Sequence, residues 1–267
     1  MPILKNRLLV LTVTLFMLFA LGGCSRPVTS EKFIETYLLR SGTIIDIYNQ
    51  NGSVTITGWD QDKVEISVFK ESHRGQEALD QVDIIIDIAD KMVIQTVHLG
   101  EEIHVIVNYE IRVPEDIAVG VIECSNGNIN LSAVIGNPEL STSNGSITVN
   151  NINGIVSALS SNGNITVTGV KSLGNLKTSN GNIEAELPIL HEDMEVRTSN
   201  GSISLALSTA LAADLEAKTS NGKISISNLN IVTAELEQTF LIGAMNEGGY
   251  KITIRTSNGS INLSALR

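Results

Sequence analysis

The chain offers few residues for chemistry, and their spacing points to binding rather than catalysis. Cys124 falls two residues before an Asn-Gly pair, on the inward parity of its strand, at a position that other repeats give to Thr. It reads as a buried thiol standing in for Thr, and buried structural cysteines are inert. His73, His98, His104 and His191 have no metal-ligand spacing, although His98 and His104 flank a presumed turn. No nucleophile elbow, zinc-protease helix motif or phosphate-binding loop is present. Glu184 and Glu186 share the outward parity of one strand, and Glu195 and Glu216 sit on others. They do not stack as the paired carboxylates of a polysaccharide-cleaving enzyme would. The expectation is a non-enzymatic protein with no metal and no cofactor.

One constellation is sharper. Three residues before Asn, on the outward parity, successive repeats carry Lys177, Arg197 and Lys218, with Arg255 in the last copy. Stacked like charges repel, so such a row would suit a polyanion such as an envelope glycan or a phospholipid headgroup. The competing reading pairs these cations with Glu195, Glu216, Glu184 or Glu186, since charge runs are usually solvated faces. A polar row of Asn128, Ser146, Asn164, Asn182 and Ser202 could hydrogen-bond a sugar chain, or could only solubilise the sheet.

A repeat must position these residues. Asn-Gly pairs begin at Asn51, Asn126, Asn144, Asn162, Asn180, Asn200, Asn221 and Asn258, and from 126 onward the spacings are 18, 18, 18, 20, 21 and 37. The last spacing is close to two repeats with a degenerate coil between. Two residues after each Gly stands Ile129, Ile147, Ile165, Ile183, Ile203, Ile224 or Ile261, with Val54 in the outlying copy. Apolar residues also recur four after Gly and four before Asn, with polar residues between. This period-two alternation on both sides of a turn gives two half-buried strands per repeat.

Coils of about 18–21 residues with two strands each fit a β-solenoid whose levels stack about 4.8 Å apart. Asn126, Asn144, Asn162, Asn180, Asn200, Asn221 and Asn258 then form a structural ladder, and Thr142, Thr178, Thr198, Thr219 and Thr256 a Thr column. An 18-residue period also suits a left-handed hexapeptide helix, but no apolar residue recurs at every sixth position.

The fold class expected is therefore all-β, a single-chain β-solenoid with an N-terminal strand-rich capping region over 41–122 and Ser-Asn-Gly repeats over 123–267. In the cap, Val64–Val68, Val82–Ile88, Met92–Val97 and Ile103–Val113 read as strands, and Lys70–Asp80 as a polar loop or short helix. Longer excursions cover Ala206–Leu215, with a helical turn around Ala210–Leu215, and Leu229–Met245.

The 267 residues are 42% apolar, which excludes global disorder, and the net charge of −11 argues against a nucleic-acid partner. Residues 1–23 read as a signal peptide: Lys5 and Arg7 precede an apolar run from Leu8 to Leu21, too short for a comfortable bilayer span. Without Lys5 and Arg7 the mature chain is more acidic still, so an acyl anchor rather than a basic face would hold it at a membrane. Leu21-Gly22-Gly23-Cys24 resembles the lipobox of bacterial lipoproteins. That resemblance implies acylation of Cys24 as the mature N-terminus. The residues that follow, to 40, read as a polar tether that could hold a short helix at Glu31–Leu39. Ser25 after the cysteine would favour the outer membrane of a Gram-negative cell.

The repeated Thr-Ser-Asn-Gly-x-Ile, as in Thr178-Ser179-Asn180-Gly181-Asn182-Ile183, resembles the bacterial adhesin family also called toastrack. Gly42–Ile47 with Asn51–Ile56 resembles its opening hairpin. Tyr109–Pro114 resembles its strand ending in Val-Pro, and Gly248–Ile254 its closing coil. The resemblance covers roughly 41–267. It implies an extracytoplasmic β-solenoid linked to envelope stress, surface attachment or sensing of membrane-active agents, with no established catalytic residues. Together with the lipobox, the leading expectation is a lipid-anchored cell-envelope protein serving adhesion or interaction through its ladder faces. An alternative within the same resemblance is sensing or sequestering cationic membrane-active peptides, which an acidic surface would attract. A polysaccharide-active enzyme ranks lowest.

Overall fold

The computed structural model describes residues 28–100 and 104–266, so the leader and Cys24 lie outside the described residues. Alternation on either side of each Asn-Gly pair becomes two strands that meet at a corner, with the apolar parity of both facing one interior. A corner with its two strands makes one level of a β-solenoid.

The N-terminal part comprises β1 (Thr29–Tyr37), β2 (Ile44–Asn51), β3 (Val54–Trp59), β4 (Val64–Ser72), a single helical turn α1 (Gln76–Leu79), β5 (Val82–Ile88), β6 (Met92–His98) and β7 (Ile106–Pro114). The repeats follow as β8 (Ala118–Asn126), β9 (Ile129–Ile135), β10 (Glu139–Asn144), β11 (Ile147–Asn162), β12 (Ile165–Lys177), β13 (Ile183–Leu187), β14 (Met194–Arg197) and β15 (Ile203–Leu207). The C-terminal part comprises β16 (Ala213–Asn221), β17 (Ile224–Ser227), β18 (Ile231–Leu236), β19 (Phe240–Met245), β20 (Tyr250–Asn258) and β21 (Ile261–Ala265).

These strands line two faces. Strands that follow a corner run β1–β4–β7–β3–β9–β11–β12–β13–β15–β21–β17. Strands that precede a corner run β5–β6–β2–β8–β10–β11–β12–β14–β20–β16–β19–β18. β11 and β12 are long enough to serve both faces, and their pairing shifts register between Ile152 and Ile155 where they bend. Stacked levels pair parallel, whereas the pairs β1–β4, β4–β7, β5–β6, β16–β19 and β18–β19 at the two ends are antiparallel.

The interior is a set of aliphatic columns. Ile129, Ile147, Ile165, Ile183, Ile203 and Ile261 are all buried, and each is worth about 2–3 kcal/mol relative to exposure. The N-terminal end is closed by Val64, Ile66, Val68, Leu79, Val82, Met92 and Tyr109, all buried.

The structure corrects several expectations. Residues 29–37 are neither tether nor helix. Phe33, Glu35 and Tyr37 alternate with the exposed Lys32, Ile34 and Thr36, and β1 pairs with β4 along its whole length, so backbone pairing and apolar burial both favour a strand. The segments around Asn51 form no hairpin: β2 and β3 leave the corner onto different faces and pair with different partners. Ala213 already belongs to β16, so the helical turn around Ala210–Leu215 is absent. No degenerate coil fills 222–257. The hairpin β18–β19 lies antiparallel against β16 instead.

The stack is also out of sequence order. The coil formed by β20 and β21 does not close the solenoid; it lies between the level of β14 and β15 and the level of β16 and β17. The levels therefore stack by their asparagines as 51, 126, 144, 162, 180, 200, 258 and 221. To reach that slot, residues 246–249 cross the start of β16, where a Cβ at Gly248 would meet Asp214 Oδ1 at 2.7 Å.

Candidate binding face

The corner is the most uniform part of the molecule. Each Asn Nδ2 donates to the Oδ1 of the Asn one level before it, from Asn126 to Asn51 at 2.8 Å through to Asn221 to Asn258 at 2.9 Å. Behind it, the Thr column makes no bonds within itself. Thr142, Ser160, Thr178, Thr198, Thr256 and Thr219 each donate to the carbonyl of the corner glycine one level before, at 2.8–3.0 Å. Cys124 fills the same place, its Sγ 3.2 Å from Gly52 O, and burial pushes its thiol up to about 11. It is an unreactive member of the column.

The corner glycines are required by close approach. A Cβ at Gly145 would lie 2.0 Å from Gly127 O, and only Gly52, Gly201 and Gly259 among the corner glycines have left-handed φ.

Outside the corner, the four basic residues come together in stack order Lys177, Arg197, Arg255, Lys218. Arg255 thus stands inside the row rather than at its end. Two residues further from the corner, Asn175, Glu195, Thr253 and Glu216 form the adjoining column. Lys177 pairs with Glu195 at 2.6 Å, and Glu216 holds both Arg255 at 2.7 Å and Lys251 at 2.6 Å. The bond from Lys177, with the charges of Arg197 and Arg255, holds Glu195 below the usual carboxylate range. Bonds from Lys251 and Arg255 do the same for Glu216.

Arg197 and Lys218 are exposed and make no ion pair among the described residues. The row is therefore half neutralised, with its unpaired cations alternating with paired ones at the level spacing of about 4.8 Å.

Two neighbouring columns decide what could lie along this edge. The row of Asn128, Ser146, Asn164, Asn182 and Ser202 uses its side-chain oxygens inside the stack: Asn128 Oδ1 accepts from Ser146 N at 2.9 Å, and Asn182 Oδ1 from Ser202 N at 2.8 Å. The serine just before each Asn was missed by sequence reasoning. The hydroxyls of Ser179, Ser199, Ser257 and Ser220 bond to no described residue. They sit two residues from the cations, on the corner itself. The signal lay in the Thr-Ser-Asn-Gly repeat, whose Ser belongs to neither the inward column nor the amide ladder.

The carboxylates form no acid–base pair. Glu195 and Glu216 are two levels apart, with Thr253 between them, both engaged by cations, and Glu186 accepts from Gly169 N at 2.8 Å. Among the described residues no cluster of His, Cys, Asp or Glu is placed to hold a metal ion. His98 Nε2 is buried without a hydrogen-bond partner among the described residues, and desolvation lowers its pKa.

An open cleft of about 700 Å³ lies beside the level-to-level loops, lined by Pro188, Ile189, Leu190, Leu211 and Tyr250.

The Toastrack DUF4097 family matches residues 156–264. That stretch is similar to a Toastrack domain. It runs from the second half of β11 to the end of the stack, and it contains the whole basic row and the free Ser column. No curated protein matches the chain.

Three solved structures resemble it at low identity. A candidate cell adhesion protein from Clostridium sporogenes is 10% identical, covering 87% of this chain and 99% of that one, with a TM-score of 0.32. A candidate adhesin from Bacteroides fragilis is 9% identical, with coverages of 87% and 96% and a TM-score of 0.38. A candidate lipid binding protein from Parabacteroides distasonis is 13% identical, with coverages of 88% and 97% and a TM-score of 0.35.

Proposed function

We propose that the protein is a non-enzymatic interaction module of the cell envelope, anchored through Cys24, that binds an anionic surface glycan along its corner edge. The observation that carries the reading is the row Lys177, Arg197, Arg255, Lys218, in which Arg197 and Lys218 have no ion-pair partner among the described residues, beside serine hydroxyls that bond to none of those residues. On a chain of net charge −11, an edge of repeated unpaired cations supplies evenly spaced counter-charges for a repeating polyanion. The hydroxyls add neutral donors for sugar oxygens. Direct charge-assisted bonds are worth about twice neutral ones, so the cations carry affinity and the serines register.

The leader and its lipobox support placement outside the cytoplasm with an acyl anchor. A carboxylate acting as general acid needs a raised pKa, whereas Glu195 and Glu216 are held low, which favours binding over glycan cleavage.

The test is titration of the wild type and of an Arg197→Gln, Lys218→Gln variant with an acidic polysaccharide at two ionic strengths. The expected result is saturable binding that weakens with salt and is lost in the variant. Equal binding by the variant would remove the basic row from the account.

A further inference from the structure

Asn-Gly is the dipeptide most open to loss of ammonia from Asn, because an unhindered Gly nitrogen can reach the side-chain carbonyl carbon. This chain stacks eight such pairs at its corner, and stacking treats seven of them alike. The N–H of Gly52, Gly127, Gly145, Gly163, Gly181, Gly201 and Gly259 donates to the Asn carbonyl of the next level, at 2.8–3.1 Å. In each of those pairs the Asn Oδ1 also accepts from the next Asn Nδ2. Nucleophile and electrophile are both tied into the stack. A ninth pair, Asn153-Gly154, lies within β11, with Gly154 buried.

The eighth corner differs. Asn221 belongs to the last level, so no further level accepts from Gly222, whose N–H has no partner among the described residues. Asn221 is exposed, and its side chain donates to Asn258 but accepts from no described residue.

We infer that Asn221 is a site of spontaneous deamidation in the folded protein. The Gly222 nitrogen attacks Asn221 Cγ. The N–Cγ bond forms, the Cγ–Nδ2 bond breaks, and ammonia leaves with the proton given up by Gly222. Water then opens the resulting five-membered imide at either carbonyl, giving Asp or a β-linked isoaspartate. Either product ends the amide ladder, because a carboxylate at 221 has no proton to donate to Asn258 Oδ1. It also sets a negative charge three residues from Lys218, at the end of the basic row. The inference stands independently of what that row binds.

The out-of-order stack makes the site specific. Chain order would leave the last copy, Asn258-Gly259, without a level beyond it, whereas stack order leaves Asn221-Gly222 there. The turn between β18 and β19 accepts from Thr219 N and Ile224 N on either flank but not from Gly222 N. The test is incubation of the full chain at mildly alkaline pH, followed by peptide mapping for deamidated and isoaspartyl products, in buffer and in urea. In buffer, Asn221 should react about tenfold faster than any stacked corner, equivalent to about 1.4 kcal/mol of barrier. In urea the corner pairs should converge. An Asn221→Ser variant should lose most of the isoaspartate formed in buffer. Asn258 or another stacked corner reacting as fast as Asn221 in buffer would overturn the inference, as would stacked corners that stay slow in urea.

Discussion

The two ends of the solenoid solve one problem differently. At the N-terminal end both faces continue past the first level: β7, β4 and β1 extend one face, β6 and β5 the other, and Leu79 of α1 is buried among them. At the C-terminal end only one face continues, through β19 and β18. The other stops at β17, whose Ile224 and Ile226 are only half-buried, and Val232 and Leu236 of the hairpin stay exposed. One end is a completed core, and the other is a level held in place by its neighbours. Both still guard their edge strands against further pairing. β5 carries Asp83 and Asp87, while β18 carries Glu235 beside an irregularity in its pairing.

The largest effects should come from the stack shared by both ends. Gly145→Ala would drive a Cβ into Gly127 O, and it should cost about 3 kcal/mol in chemical denaturation, through overpacking that backbone cannot relieve. Leu79→Ala should cost a similar amount, about 3 kcal/mol, because it empties a closed cap. The matched change at the other end, Leu229→Ala, removes a half-buried side chain and should cost about 1 kcal/mol. Equal costs at the two ends would erase the contrast between them.

Smaller changes sharpen it. Thr198→Val deletes the bond to Gly181 O and should cost about 1 kcal/mol, while Cys124→Thr should gain about 0.5 kcal/mol by replacing a weak donor with a better one.

Acid should act mainly on the C-terminal half. Glu195 and Glu216 have folded pKa values below their ordinary 4.5, so their contribution is fully present above 4.5 and is lost as pH falls through the lower folded values. Hydrogen exchange below pH 4.5 should therefore loosen β14, β16 and β20 before the N-terminal cap. At the bottom of the scale, Val232→Ser on the exposed hairpin should change stability by less than about 0.5 kcal/mol.

Much of the fold was legible because the repeat writes the same chemistry at the same place. Ile at the second position after Gly, polar alternation and Asn-Gly corners identify two strands per level without any long-range information. The order of the levels was not legible. Thr219-Ser220-Asn221-Gly222 and Thr256-Ser257-Asn258-Gly259 are identical, so nothing local assigns one to the end of the stack.

The ion pairs were hidden for the same reason. Glu216 meets Arg255 only because the last coil in sequence inserts beside β16. β1 was misread because nine residues with two aromatics suit either a helix or an edge strand, and the partner that decides the matter, β4, lies more than twenty residues on. Of the candidate site, the basic row was visible from spacing, whereas its half-neutralised state and the free serine column needed the packed neighbours.

Stack order underlies the basic row, its ion pairs and the exposed Asn221, so it is the claim to test most directly. Ser204, Asn262 and Ser225 lie at one outward position on three levels, and Asn262 pairs with each of the other two. Cysteines introduced in pairs can bridge adjacent levels about 4.8 Å apart, but not levels twice that distance apart. Oxidation should therefore cross-link Ser204→Cys with Asn262→Cys, and Asn262→Cys with Ser225→Cys, while leaving Ser204→Cys with Ser225→Cys reduced. A cross-link between positions 204 and 225, with none between 204 and 262, would mean that the coils stack in chain order and would contradict the account.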